Sequence, residues 1–148
     1  TLCMLEIRQM LERDIPEAVC LFLDAFSRAP WEDDWSAKEA EDFLKAFHSM
    51  AVFRGFLAFW DGVPAALCIG MIKPWRRGME YYIDQFCVAP RFQGKGVGSA
   101  FLRETERLLA AEGVRGAVLH TERSFPAYHF YRKNGFRKAE GLAVMYRE

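Results

Sequence analysis

Apolar and polar positions recur along this chain with two periods, and each change of period marks an element. Leu5 to Gln9 alternates as a short first strand. Asp14-Ile15-Pro16-Glu17 then opens a helix, with proline in its first turn. Ala18, Leu21, Phe22, Ala25 and Phe26 form that helix's apolar face, and Ala29-Pro30 stops it. Ser36, with Glu39 three residues on, reads as the capping box of a second helix. Its stripe is Ala40, Phe43, Leu44 and Phe47. Phe53 to Trp60 and Val63 to Ile72 are strands joined by Asp61-Gly62, the pair that a type I′ hairpin turn demands. Tyr81 to Val88 is a further strand, rich in aromatic and β-branched residues.

A helix is expected over Val97 to Glu112, with Val97, Phe101, Thr105 and Leu108 on one side and Gly113 ending it. Ala117 to Thr121 reads as a strand, and Pro126 to Asn134 as a short helix closed by Gly135. Phe136 and Leu142 to Tyr146 read as two closing strands. The order is β-α-α-β-β-β-α-β-α-β-β. It predicts an α/β (α+β) fold with a mixed, mostly antiparallel sheet of about seven strands and about four helices.

Composition narrows the functional classes. A chain of 148 residues without repeat or linker is expected to be one domain, residues 1–148. Lys plus Arg and Asp plus Glu are both 20. That balance, with no basic stripe, disfavours nucleic acid as a partner. No apolar run reaches the length of a membrane span, and the first residues lack a basic segment followed by an apolar one. The expectation is a cytoplasmic protein. Cys3, Cys20, Cys68 and Cys87 contain no C-x-x-C pair, and His48, His120 and His129 lack zinc-ligand spacing. Reduced thiols and no metal are expected.

The most informative stretch runs from Val88 to Ala100, Val-Ala-Pro-Arg-Phe-Gln-Gly-Lys-Gly-Val-Gly-Ser-Ala. A strand ends at Val88 and a helix begins within the glycines. Gly94, Gly96 and Gly98 leave the backbone bare, and a helix start offers unpaired amides and the positive end of its dipole. Arg91 and Lys95 add charge, making a main-chain anion site. It is not a Walker A loop, because Lys95 is followed by Gly96 rather than Ser or Thr. It is not the dinucleotide fingerprint, because the last glycine position counted from Gly94 is Ser99.

Gln93-Gly94-Lys95-Gly96-Val97-Gly98 resembles the Q/R-x-x-G-x-G/A signature of the GNAT superfamily of acetyltransferases. Ala127 to Phe136 resembles that superfamily's A-x-x-F-Y-x-x-x-G-F helix, in the right order and separation. The resemblance implies that acetyl-CoA, as co-substrate, sets its pyrophosphate on amides from Gln93, Gly94, Lys95, Gly96, Val97, Gly98 and Ser99. It places the pantetheine in a gap between the strand ending at Val88 and the Ala117–Thr121 strand. It puts the acetyl carbonyl near the backbone N–H groups of Cys87 and Val88, an oxyanion hole. Ser124 stands where the superfamily often has an asparagine touching pantetheine.

The resemblance also gives Tyr131 the role of general acid toward the departing thiolate. Packing is its other reading, because Ala127, Phe130, Tyr131 and Asn134 share a helical face. Asp84, within Tyr82-Ile83-Asp84-Gln85-Phe86, is the candidate acceptor of the amine proton, since a carboxylate in an apolar strand is functional or paired. A salt bridge to a neighbouring strand is the alternative. Alternation puts Asp84 on the face of Phe86 and Val88. Ile83-Asp84-Gln85 followed by the glycine turn resembles some aminoglycoside 6′-N-acetyltransferases, where the matching aspartate contacts the amine. His120 and Glu122 are strand-end residues able to assist proton transfer, and Cys87 reads as a small buried residue.

Trp31-Glu32-Asp33-Asp34-Trp35 lies in the loop that borders the acceptor in the superfamily. It has two readings, a mouth for a small cationic amine or a solvated acidic loop anchored by its tryptophans. Trp75, Glu80, Tyr81 and Tyr82 are candidates for the same wall. Transfer of acetyl to a primary amine of a small cationic acceptor leads the readings. A peptide or protein N-acetyltransferase and a non-catalytic acyl-CoA-binding module are the alternatives, and a homodimer is expected by resemblance.

Overall fold

The computed structural model describes residues 4–148, so Cys3 lies outside the described residues. In chain order the elements are β1 (Leu5–Gln9), α1 (Ile15–Phe26), α2 (Ala37–His48), β2 (Phe53–Trp60), β3 (Val63–Trp75), β4 (Gly78–Val88), α3 (Val97–Ala110), β5 (Val114–Leu119) and α4 (Pro126–Lys133). One sheet has the order β1-β2-β3-β4-β5. The pairs are antiparallel as far as β4, and β5 joins parallel to it. The expected class therefore holds, with five strands in place of about seven.

Local chemistry sets several boundaries. Ser36 Oγ accepts from the Glu39 amide at 3.0 Å and Glu39 Oε1 accepts from the Ser36 amide at 3.0 Å, which starts α2. Asp61 (φ 49°) and Gly62 (φ 78°) supply the two positive angles of the hairpin turn. Ahead of α1, buried Asp14 accepts the Leu11 amide at 2.7 Å and a forked pair from Arg8 at 2.7 and 2.8 Å. The Arg8 hydrogen bonds hold the Asp14 carboxyl below the ordinary carboxylate range against the opposing effect of burial.

The sheet is covered on both faces. Cys87 Sγ donates to the Leu21 carbonyl of α1 at 3.9 Å, while Phe86 meets Phe101 of α3 with ring centres 5.5 Å apart. Adjacent strand residues point to opposite faces, so α1 lies on one side and α3 on the other. Leu57, Leu67, Ile69, Phe22 and Phe101 are fully buried between the layers.

The structure moves several boundaries. β3 and β4 extend to Trp75 and back to Gly78, because Lys73, Pro74 and Trp75 pair with Glu80, Met79 and Gly78. α3 ends at Ala110 rather than Glu112. β5 runs over Val114–Leu119 rather than Ala117–Thr121, because Gly113 (φ 91°) turns the chain and Val114 pairs at once with Met79. The two closing strands do not form. Phe136 packs on the Tyr131 ring at 5.5 Å, and Leu142 to Tyr146 have no ladder partner. Strand propensity alone does not make a strand without an edge to pair with. Among the described residues, no helix is long and apolar enough to cross a membrane.

One irregularity shapes the rest. Ile69 pairs with Gln85, but Gly70 pairs with Ile83, which leaves Asp84 as the extra residue of a β-bulge. The strands close so tightly here that a Cβ on Gly70 would lie 2.1 Å from the Tyr82 carbonyl oxygen. The bulge resets the alternation. Ile83 lines a cavity with Leu102 and Leu109 of α3, and Phe86 also packs on α3. Strict alternation, the basis for placing Asp84 with Phe86 and Val88, does not carry across the extra residue.

Candidate active site

The β4–β5 ladder runs from Met79↔Val114 to Ile83↔Leu119 and stops there, while β4 continues to Val88. Five residues, Asp84 to Val88, thus have no ladder partner on the β5 side among the described residues. The backbone on that side is readable from the other edge. The Ala89 amide donates to Ala65 on the β3 side at 2.8 Å. Antiparallel alternation then commits the Cys87 amide to β3 and turns the Val88 amide toward the gap. The Val88 carbonyl accepts from Gln93 Nε2 at 3.0 Å, which ties the strand end to the glycine turn.

The turn is built around two left-handed glycines, Gly94 (φ 73°) and Gly96 (φ 79°). A Cβ at either would meet nothing within 4 Å, so both face open space. Gly96 is the N-cap of α3, no side chain caps it, and the first helical bond is Ala100 to Gly96. The amides of Val97, Gly98 and Ser99 are left to an outside acceptor. Gly98 has a different reason to be glycine. A Cβ there would lie 3.1 Å from the Phe130 ring and 3.4 Å from Val88, so its absence lets α3 pack close to both. Arg91, Gln93 and Lys95 are exposed around the turn, and the Val97 side chain is in the core.

Aromatic rings form one wall of the gap. Phe86 stacks on Phe130 at 5.5 Å and meets Tyr131 edge-on at 6.1 Å. Tyr131 is 8% exposed, and burial pushes its phenol above the ordinary value. Its hydroxyl has no hydrogen-bond partner among the described residues, yet it is not sealed from solvent. Asp84 is solvent-accessible, and it makes no ion pair among the described residues. Its carboxyl is raised by desolvation, opposed by a hydrogen bond from Gln85 Nε2 at 3.2 Å. The salt-bridge alternative for Asp84 thus finds no partner. Cys87 is buried, and desolvation pushes its thiol up to about 12, so no thiolate forms there near neutral pH.

A family profile decides the class. The profile of the acetyltransferase (GNAT) family matches residues 17–136. The chain belongs to the GNAT family. It is accordingly an acyltransferase. Solved structures of similar fold include an aminoglycoside acetyltransferase, meta-AAC0020, from an uncultured soil metagenomic sample in complex with sisomicin. It is 16% identical, with TM-score 0.78, covering 99% of this GNAT chain and 97% of that one. AAC(6′)-Iy in complex with the bisubstrate analogue CoA-S-monomethyl-acetylneamine is 19% identical, with TM-score 0.76 and 97% of each chain covered. A possible acetyltransferase from Clostridium difficile 630 is 15% identical, with TM-score 0.81, covering 98% and 97%. At these identities the likeness is one of fold. No match was found among curated protein sequences.

In this GNAT fold the acidic loop reaches the site end of the sheet. Trp31 meets Phe26 edge-on at 5.2 Å and Phe125, beside Ser124, at 5.9 Å. Trp35 packs on Phe22 at 5.1 Å and Phe43 at 5.4 Å. Both indoles are therefore anchors, while Glu32, Asp33 and Asp34 are exposed between them. Ser124, His120 and Glu122 are exposed in the segment after β5. Tyr81 does not join an acceptor wall. It is buried, and its hydroxyl donates to the Arg54 carbonyl at 2.8 Å. Trp75 sits at the far tip of the β3–β4 hairpin under Lys73, 4.9 Å from the ring centre. The bulge at Asp84 has one mark in the sequence, Gly70, a glycine inside a strand.

Proposed function

We propose that this chain, as a single domain, transfers the acetyl group of acetyl-CoA to a primary amine of a small cationic acceptor by direct attack. The observation that carries the reading is the end of the β4–β5 ladder at Ile83↔Leu119, with an uncapped helix start at the far end of the freed strand. Two aminoglycoside acetyltransferases of this fold, one bound to sisomicin and one to a CoA–neamine bisubstrate analogue, agree with a polycationic amine.

The residues present fit such a donor. The open-faced glycines at 94 and 96 and the free amides of residues 97–99 suit a pyrophosphate, with Gln93 and Lys95 flanking it and Ser124 across the gap. The donor supplies an activated thioester. The Val88 N–H is turned to where a carbonyl oxygen gains charge as the amine nitrogen bonds to its carbon. Asp84, directly or through water, takes the proton that the amine loses. Its raised pKa favours that acceptance. Tyr131 donates its phenolic proton to the sulfur as the carbon–sulfur bond breaks. The carboxylates of Glu32, Asp33 and Asp34, framed by Trp31 and Trp35, hold a second ammonium while the first reacts.

Gly96→Asp tests the donor site. Asp tolerates the left-handed angle better than most residues, so the fold survives while a carboxylate enters the anion site. Calorimetry is expected to show acetyl-CoA affinity falling roughly tenfold or more. Unchanged affinity in the folded variant refutes the site. The acceptor side is tested by combining Glu32→Gln, Asp33→Asn and Asp34→Asn. The amine KM should rise roughly threefold or more at low salt and the difference should shrink as salt is added, with acetyl-CoA KM nearly constant. A best acceptor that is neutral apart from its reacting amine would remove the acidic mouth from the mechanism.

A further inference from the structure

The tip of the β3–β4 hairpin gathers positive charge that the chain leaves unanswered. Trp75↔Gly78 is its last rung, and Arg76-Arg77 make the turn. Lys73, Arg76, Arg77 and, at the start of β5, Arg115 are all exposed. Arg115 belongs to the same end, because a Cβ on Gly78 would lie 2.6 Å from its Cγ. None of the four makes an ion pair among the described residues. Glu80, across the ladder from Lys73, is the one acid within residues 73–80. Glu112, beside the Gly113 that accepts the Met79 amide, is already paired with Arg54 at 3.0 Å. In a chain of zero formal net charge, four cations against one free acid are a local excess.

An indole stands among these cations. Trp75 is 62% exposed, the most open of the four tryptophans. The other three pack on rings: Trp31 on Phe26, Trp35 on Phe22 and Trp60 on Phe92. Lys73 Nζ lies 4.9 Å from the Trp75 ring centre and 5.8 Å from that of Tyr82, so the cation rests on aromatic faces. One exposed apolar side chain is ordinary, but an indole set among four unpaired cations is a composite feature.

Shape selects the partner. Every residue from Lys73 to Gly78 is exposed, so the tip protrudes, and it offers one open ring where a nucleic-acid stacking platform uses several. A planar anionic surface suits it. Indoles settle at the headgroup level of a bilayer, and Lys and Arg reach toward its phosphates. The tip is also remote from the candidate site. β4 runs from Gly78 at the tip to Val88 at the gap, and Asp84 is about 20 Å along it. Docking by the tip leaves the gap open.

We propose that the β3–β4 hairpin tip docks this chain, peripherally and reversibly, on an anionic lipid bilayer. The Trp75 indole sits at the headgroup level, and Lys73, Arg76, Arg77 and Arg115 face the lipid phosphates. Each cation near such a surface multiplies the partition by roughly fivefold, so charge and indole act together. The proposal is independent of the acetyl acceptor and of the roles of Tyr131 and Asp84.

Vesicle sedimentation tests it on the full chain, at about 0.1 M salt, where charges beyond about 10 Å are screened. The wild type is expected to partition onto vesicles of equal parts phosphatidylglycerol and phosphatidylcholine and to stay in solution with phosphatidylcholine alone. Arg76→Gln combined with Arg77→Gln should lower that partition roughly tenfold or more. Arg13→Gln combined with Arg103→Gln removes the same charge from exposed positions on other elements and should change it by less than about twofold. Brominated lipid in the anionic vesicles should quench part of the tryptophan emission, and Trp75→Ser should abolish the quenching. All these side chains are exposed, so the variants should keep the wild-type urea midpoint. Failure to partition onto the anionic vesicles overturns the proposal, as does equal partition onto the zwitterionic ones. So do an equal loss from the two arginine pairs, quenching that survives Trp75→Ser, and tighter binding to a single-stranded DNA oligonucleotide at the same phosphate concentration.

Discussion

Tyr131→Phe is expected to lower kcat by roughly 10²-fold while leaving the acetyl-CoA KM nearly unchanged. The split follows from what the side chain touches. Its ring packs among Phe86, Phe130 and Phe136, and phenylalanine keeps all of those contacts. The hydroxyl makes no hydrogen bond to the protein among the described residues, so its removal leaves no partner stranded. Burial keeps the phenol protonated throughout the assay range, so the proton is present when the sulfur needs it. A loss of about 2.7 kcal/mol in the chemical step corresponds to that hundredfold fall. The measurement is a single-turnover rate with saturating amine, which separates chemistry from CoA release. An unchanged single-turnover rate would make Tyr131 a packing residue, the other role its helical face allows.

The same pair of roles shows where the sequence was legible. The glycine turn is read directly, because Gly94 and Gly96 need angles that other residues resist and nothing inside the chain needs them open. The Ser36–Glu39 box and the Asp61-Gly62 turn are equally local, with both partners within a few residues. The Arg8–Asp14 pair has no mark in the sequence, because it depends on where β1 leaves the first helix, not on any spacing. The closing strands expected from composition are absent among the described residues for a related reason. Leu142 to Tyr146 have the composition of a strand, but a strand exists only on an edge, and the chain's own fold does not bring one to them. At the candidate site, alternation is the sequence's guide to the face of Asp84, and one extra residue against Gly70 interrupts it. A bulge costs no unusual residue on the bulged strand. Its mark lies across the ladder, in the glycine that permits the close approach.

That glycine carries the second large effect. Gly70→Ala is expected to destabilise the protein by roughly 1–3 kcal/mol, read as a lower urea midpoint. The added Cβ would sit 2.1 Å from the Tyr82 carbonyl oxygen and 2.9 Å from Tyr81 Cζ. Neither obstacle is a side-chain end free to swing away. The first is backbone held in the ladder, and the second belongs to a buried tyrosine whose hydroxyl is bonded to Arg54. Relief requires β3 and β4 to separate at the bulge, and Asp84 moves with them. Activity should therefore fall more than folded fraction alone accounts for, measured in buffer where the variant is fully native. Gly116→Ala is the control. Its Cβ meets nothing within 4 Å, so the urea midpoint should shift by no more than about 0.5 kcal/mol equivalent. If Gly70→Ala matched Gly116→Ala in stability, the close approach at the bulge would not be a constraint. If it lost stability while kcat per native molecule stayed constant, the bulge would shape the strand without positioning Asp84.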